Sequence, residues 1–409
     1  MLRIDGSRLW RSLMELAQIG ATPEGGVARV ALSEEDRQAR DLLRKWAEPL
    51  VDEVHVDEVG NLFFLRHGLD PEAPMVLTGS HLDTQIHGGR FDGAFGVMAG
   101  LEVLQTLADA KRRLSCGVGL VCWTNEEEAR YCPAMGSAVF VGKQDPETAW
   151  ACIGTDGSVF GEQLEHIGYR GSRWPLRIHS YLEAHIEQGP VLEQEGLEVG
   201  VVTGAQGQVA LDVEIHGEAG HSGTVPMPLR HDAMACATEA TQACRHLVLQ
   251  EGRGVFTVGF FTMEPNSRTT IPNQVRLGID LRHPDSSSLD QLKAELTCTL
   301  QEIAQTHGCR LEVRVLFQKE PVVFDTRCIQ AVQIATDQLQ YSSRTMASGA
   351  FHDACLVATI APTGMIFVPS QHGISHNPTE YSSPEQLERG GNVLLHALLQ
   401  LAESIPNTS

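Results

Sequence analysis

Apolar residues recur three and four apart over Ser7 to Gln18 and again over Glu34 to Trp46, which predicts two amphipathic helices. The run Met75-Val76-Leu77-Thr78-Gly79 then reads as a strand. It is followed by a helical pattern from Gly93 to Leu114, with Val97, Leu101, Leu104 and Leu107 on one face, and by the apolar strand Val118 to Trp123. Strand, crossover helix and strand predict a parallel sheet. Tyr181 to Glu187 reads as a further strand. A different grammar begins near Gln206: Val209, Leu211, Val213 and Ile215 alternate with partners that include Asp212 and Glu214, the mark of a half-exposed strand. A helix from about Arg230 to Leu249, strands at Val255 to Met263 and Gln274 to Arg282, a helix from Ser288 to His307 and a strand with Leu311, Val313 and Val315 complete the order βαββαβ. That is a split βαβ, ferredoxin-like module. The α/β character resumes at Ala331 to Leu339 and Met365 to Val368. The expectation is an α/β catalytic domain of residues 1–206 and 322–409, interrupted by a lid at 207–321 with hinges near Gly204 to Gly207 and Gln318 to Pro321.

The length supports this division, since 409 residues exceed the roughly 250–300 that one core serves. A formal net charge of −21, with no dense basic run, argues against nucleic acid or an anionic membrane surface as partner. No run approaches the roughly 20 apolar residues of a membrane helix, and Met1 to Gly6 carries no basic segment leading into an apolar one, so a cytoplasmic protein is expected. The ten cysteines lack a Cys-x-x-Cys pair, and many sit in apolar segments such as Leu120-Val121-Cys122-Trp123, which predicts buried thiols rather than disulfides or thiolate metal sites.

The chemistry concentrates in five stretches: His81-Leu82-Asp83-Thr84, Gly89-Arg90-Phe91-Asp92-Gly93, Asn125-Glu126-Glu127, Ala184 to Gly189 and Ser375-His376-Asn377. Three histidines (His81, His185, His376), a bridging Asp and a Glu form an imidazole and carboxylate set suited to zinc, manganese, cobalt or nickel, and one adjacent Glu is left over for proton transfer. His81 and Asp83 make a His-x-Asp pair after a strand. Asp92 lies in a glycine-rich turn where a carboxylate can approach an ion closely, although Asp before Gly93 also reads as a helix N-cap. Glu126 and Glu127 follow a buried strand, where adjacent like charges need a cation or a shared proton; their side chains diverge, so one can bind metal while the other takes a proton. His185 and Glu187 fall on one strand face, with a core histidine as the alternative for His185. His376 sits in a proline-stiffened loop, with His372 and His352 as competitors. His221, flanked by glycines in the lid, suits an oxyanion donor or an ordinary turn histidine.

At these residues the chain resembles the zinc-dependent aminoacylase and carboxypeptidase superfamily. Within it the likeness is to the hydantoinase/carbamoylase branch, which holds N-carbamoyl-L-amino acid hydrolases, allantoate amidohydrolases and β-ureidopropionases. The resemblance runs from about Leu9 to Ala397 and takes in Gly25-Gly26-Val27, Asp57 to Leu62, Pro133 to Ser137, His185 to Pro190, Pro226-Met227 and Pro362 to Pro369, with His185 standing where the peptidase branches usually have an acid. It implies a mixed-sheet, metallopeptidase-like catalytic domain and a homodimer formed through the lid. It also implies two divalent metal ions per subunit, zinc first and manganese, cobalt or nickel as substitutes. One would be held by His81, Asp92 and His185, the other by Asp92, Glu127 and His376. Asp83 would orient His81, Glu126 would act as general base, and His221 would polarise the scissile carbonyl, in this family often from the partner subunit.

For substrate the resemblance points to Gln188, Arg282 and the position thirteen before that arginine, where this chain has Thr269 in place of the family's Asn. Phe351 and His372 stand where glycine is common. The expected activity is cleavage of the ureido C–N bond of a small carboxylated substrate, an N-carbamoyl-L-amino acid, to amino acid, ammonia and carbon dioxide. Rival readings are allantoate or ureidoglycolate hydrolysis, an aminoacylase or dipeptidase, and a catalytically silent binding protein.

Overall fold

The computed structural model describes residues 1–403. Two compact units emerge, Met1–Gly204 together with the chain from Val323 onward, and Ala205–Val322.

The first unit is built on a mixed sheet of nine strands among the described residues. Its middle is parallel: Val118–Trp123, Met75–His81, Ile178–Ile186 and Thr363–Val368 lie side by side in that order. Antiparallel neighbours close it on either side, Leu62–Arg66 against Val118–Trp123 and Val199–Ala205 against Thr363–Val368. Three of the four parallel strands are buried along their whole length, as continuous apolar runs require when helices cover both faces. The crossover helix Ala94–Asp109 buries residues almost all round, and it packs on Met75–His81, Val118–Trp123 and the terminal helix Pro384–Glu403. It is shorter than the pattern predicted, because the residues from Ala110 to Leu114 form the turn that returns the chain to the sheet. Six of the ten cysteines are buried, whereas Cys132 and Cys298 are exposed, contrary to the expectation for those two; all ten are free.

The second unit carries one four-stranded antiparallel sheet in the order Arg310–Lys319, Gly207–His216, Gln274–His283, Val255–Glu264, with helices Ala233–Glu251 and Ser286–Thr306. Strict alternation along Gly207–His216 sends Val209, Leu211, Val213 and Ile215 into a core with Ala237, Cys244, Leu296 and Leu300 from those helices. Asp232 and Asp285 cap the helices through main-chain N–H groups of Met234, Ala235 and Ser288. The helix expected from Arg230 begins at Ala233, after Asp232 takes the capping position.

Candidate metal centre

The site residues leave the sheet at the carboxyl ends of its parallel strands, where open α/β sheets gather ligands. His81 ends Met75–His81 and pairs in register with Trp123; Glu126 and Glu127 follow that neighbour, while His185 pairs with Phe367 one strand further across. Left-handed backbone at Asn125 (φ 56°), Gln188 (φ 57°) and His376 (φ 53°) turns the chain sharply just where it delivers these side chains.

Asp92 is the hub. Its Oδ1 lies 3.2 Å from His185 Nε2 and 3.9 Å from His81 Nε2, and its Oδ2 lies 3.3 Å from His376 Nε2. His376 Nε2 is also 3.5 Å from Glu127 Oε1. Two donor sets share one carboxylate: His81, Asp92 and His185, and Asp92, Glu127 and His376, each with its ligand atoms within 4.8 Å of one another. Glu126 stands beside them, its Oε2 3.6 Å from His81 Nε2. The N-cap reading of Asp92 fails: the helix is capped at Gly93 without any side-chain bond. Gly93 (φ 62°) is needed for room, because a Cβ there would come within 2.3 Å of His81 Cε1.

Burial and crowding set the charges. Burial opposes ionisation of Asp92, but His185 and His376 outweigh it and hold the carboxylate well below its usual range. Those imidazoles respond in kind: His185, despite burial, and His376 are both raised to about 9 by Asp92. Burial and then Asp92 push Glu127 up to about 7, and burial with Asp353, Glu127 and Asp83 raises Glu126 well above the carboxylate range. Acids outnumber what three imidazolium groups can balance. Divalent cations fit this donor set: they would supply the missing positive charge, and imidazole with carboxylate is the ligand chemistry of first-row ions.

Residues 77–400 match the family described as Peptidase family M20/M25/M40. The chain belongs to this family.

The M20 chain is 38% identical over 407 residues to the N-carbamoyl-L-amino-acid amidohydrolase of Rhizobium meliloti, covering 98% of each. It is 33% identical over 416 residues to the ureidoglycolate hydrolase of Arabidopsis thaliana, covering 98% of this chain and 87% of that one. A crystal structure of a hydantoinase/carbamoylase family amidase from Burkholderia multivorans superposes with a TM-score of 0.96 at 43% identity, covering 98% of this chain and 99% of that one. The M20 chain is therefore a hydrolase of C–N bonds within the hydantoinase/carbamoylase branch, and the metal dependence of its family agrees with the donor sets found here.

Several residues of this M20 chain are placed differently from expectation. The Asp83 carboxylate is 3.8 Å from His81 Nδ1, whose hydrogen bond runs instead to the Asp83 carbonyl at 2.9 Å. That carboxylate accepts the main-chain N–H groups of Glu126 (3.2 Å) and Glu127 (3.0 Å), so it holds the two acids in place. Glu187 does not face the cluster: the strand ends at Ile186, and Glu187 accepts from Val191 and Leu192 at the start of the next helix. His352 lies buried behind His185, ring centroids 4.6 Å apart, bonded to Ser348 Oγ; His372 is exposed beside Glu193. Phe351 is partly exposed. Gln188 donates to Asp92 Oδ2 at 2.9 Å, leaving its buried Oε1 without a hydrogen bond.

In the second unit, Gly220–His221 pairs with Thr270–Ile271, and Ser222 N–H donates to the Thr269 carbonyl. His221 Nδ1 accepts from Gly223 N–H at 3.0 Å, which puts the ring proton of the neutral imidazole on Nε2. Arg282, expected to grip a substrate carboxylate, holds Asp280 through Nε at 2.8 Å.

Sequence reading missed Gln85, whose Nε2 donates to Glu127 Oε2 at 2.6 Å, and Asp353, a buried acid raised to about 8 by burial and Glu183. Ser375, which donates to Asp92 Oδ2 at 2.8 Å, was legible only as the neighbour of His376.

Proposed function

We propose that this chain hydrolyses the carbamoyl C–N bond of N-carbamoyl-L-amino acids, giving the amino acid, ammonia and carbon dioxide. The observation that carries the reading is Glu126, a largely buried carboxyl 3.6 Å from His81 Nε2 that belongs to neither donor set. Two divalent ions held by His81, Asp92 and His185 and by Asp92, Glu127 and His376 would, when bound, polarise the scissile carbonyl and acidify the attacking water. The Glu126 carboxylate takes a proton from that water and passes it to the leaving nitrogen, a service worth roughly 10² to 10⁴ in rate. Its raised proton affinity suits both halves of the transfer. Asp83 keeps Glu126 and Glu127 in register through their N–H groups. Gln188 Oε1 accepts a substrate N–H, which a ureido group offers and an ester does not. His221 Nε2–H as donor to the carbonyl, and Thr269 and Arg282 at the substrate's acid end, complete the proposal, as does assembly as a homodimer.

The test is ammonia release by metal-stripped protein reloaded with Zn²⁺, Mn²⁺, Co²⁺ or Ni²⁺, across N-carbamoyl-L- and D-amino acids, N-carbamoyl-β-alanine, allantoate and ureidoglycolate. Metal-dependent release from the L-carbamoyl group is expected. Turnover of ureidoglycolate or allantoate alone would replace the substrate assignment, and silence with metal bound would refute it.

A further inference from the structure

The loop that delivers His376 ends at a buried acid, Glu380, only 3% exposed. Its Oε1 accepts two main-chain N–H groups, those of Phe91 at 3.0 Å and Asp92 at 3.1 Å. Its Oε2 lies 2.8 Å from Ser375 Oγ, and the same Oγ lies 2.8 Å from Asp92 Oδ2. Ser375 Oγ carries a single proton, given to one of these two carboxyl groups, and the contacts link the Asp92 backbone through Glu380 and Ser375 to the Asp92 side chain. Gly89 makes room for it, since a Cβ there would meet Glu380 Oε1 at 2.1 Å. An acid buried for packing alone would be costly against an apolar residue of similar size, so its value lies in what it bonds. Every one of those bonds falls on the two loops that carry Asp92 and His376.

We propose that Glu380 is a positioning residue: with Ser375 it fixes both backbone and carboxylate plane of Asp92, so that Oδ1 faces His81 and His185 while Oδ2 faces His376 and Glu127. The geometry favours this over a local loop brace. A bond to the peptide N–H alone would leave the Asp92 carboxylate to the Gln188 donor on Oδ2, whereas a bond to the side chain alone would leave the loop free to shift. The linked contacts hold loop and carboxylate together at the one residue common to the two donor sets. The inference rests on the metal reading above.

The experiment uses the full-length chain, stripped and titrated with Zn²⁺ against a chromophoric chelator, for the parent, Glu380→Ala, Ser375→Ala and Glu380→Gln. Because Asp92 is shared, Glu380→Ala and Ser375→Ala should weaken both binding steps, roughly ten- to hundredfold as for other residues that orient ligands. Glutamine keeps an acceptor for the two N–H groups and a donor toward Ser375, so Glu380→Gln should stay within about threefold of the parent. Circular dichroism of the stripped variants checks that they fold; should Glu380→Ala fail, Ser375→Ala and Glu380→Gln still decide. Parent-like affinity in Ser375→Ala, or binding by Glu380→Gln as weak as in the alanine variants, would overturn the proposal. A parent that binds no zinc would instead overturn the metal centre itself.

Discussion

Replacing Asp83 with Asn tests the clamp on the two adjacent glutamates. In the native chain both Asp83 oxygens accept main-chain N–H groups, from Glu126 at 3.2 Å and Glu127 at 3.0 Å, in a setting 1% exposed. Asparagine retains one oxygen, so one bond becomes neutral and the other N–H meets an NH₂ group that cannot accept it. Bonds to a charged acceptor contribute about 1.5–3 kcal/mol and an orphaned buried donor costs about 1–3 kcal/mol, so Asp83→Asn should destabilise the chain by about 2–4 kcal/mol. The freed segment carries the proton-transfer group and a ligand together. A displacement near 1 Å there lowers kcat by about 10². Urea denaturation of metal-loaded protein measures the first effect and steady-state kinetics the second. A stepwise metal titration adds a discriminating readout: loss should fall on the set containing Glu127 and spare the one containing His81, because His81 Nδ1 is held by the Asp83 carbonyl, which asparagine keeps. Loss confined to the His81 set, or a variant matching the parent in kcat and urea midpoint, would refute the clamp.

Glu126→Gln should keep metal and fold while turnover drops by roughly 10² to 10⁴; a variant retaining a tenth of parental kcat would exclude Glu126 as the proton carrier. Gly93→Ala places a methyl 2.3 Å from the His81 ring at a φ of 62°, costing about 1–2 kcal/mol for the backbone alone, and should weaken zinc binding by about tenfold or more in chelator competition. Unchanged affinity would show that His81 has space to move. In metal-free protein, His185 and His376 at about 9 and Glu127 at about 7 all bind protons more tightly folded than unfolded. Their contribution is full in acid and is lost as pH rises, for Glu127 through about 7 and for the histidines through about 9. The stripped chain should therefore unfold at lower urea at pH 9 than at pH 6, while zinc affinity rises over that interval as the competing protons leave. A urea midpoint that climbs toward pH 9 would contradict the assigned environment.

The sequence by itself determined the four parallel strands, the second unit's elements and the candidates, but not the antiparallel strands Leu62–Arg66 and Val199–Ala205 beside them. Alternation and helical periodicity report which face of a segment is buried, and that suffices to place His81 and Glu126 just beyond buried strands, to separate the βαββαβ unit, and to collect five metal donors. Residue type then limits the chemistry, because imidazole and carboxylate together suit few ligands other than first-row ions. Direction was beyond its reach. That Asp92 aims its two oxygens at different histidines and caps nothing, that Asp83 bonds the amides of residues 126 and 127, and that Glu187 turns away to a helix start all depend on where hydrogen-bond partners lie after packing. The partners are remote in sequence: Glu380 and Asp92 are 288 positions apart, Gln188 and Asp92 are 96. A hydrogen bond needs its donor and acceptor within about 3 Å and aligned, and no local pattern encodes that meeting; only the closing of the sheet around four parallel strands brings the loops together.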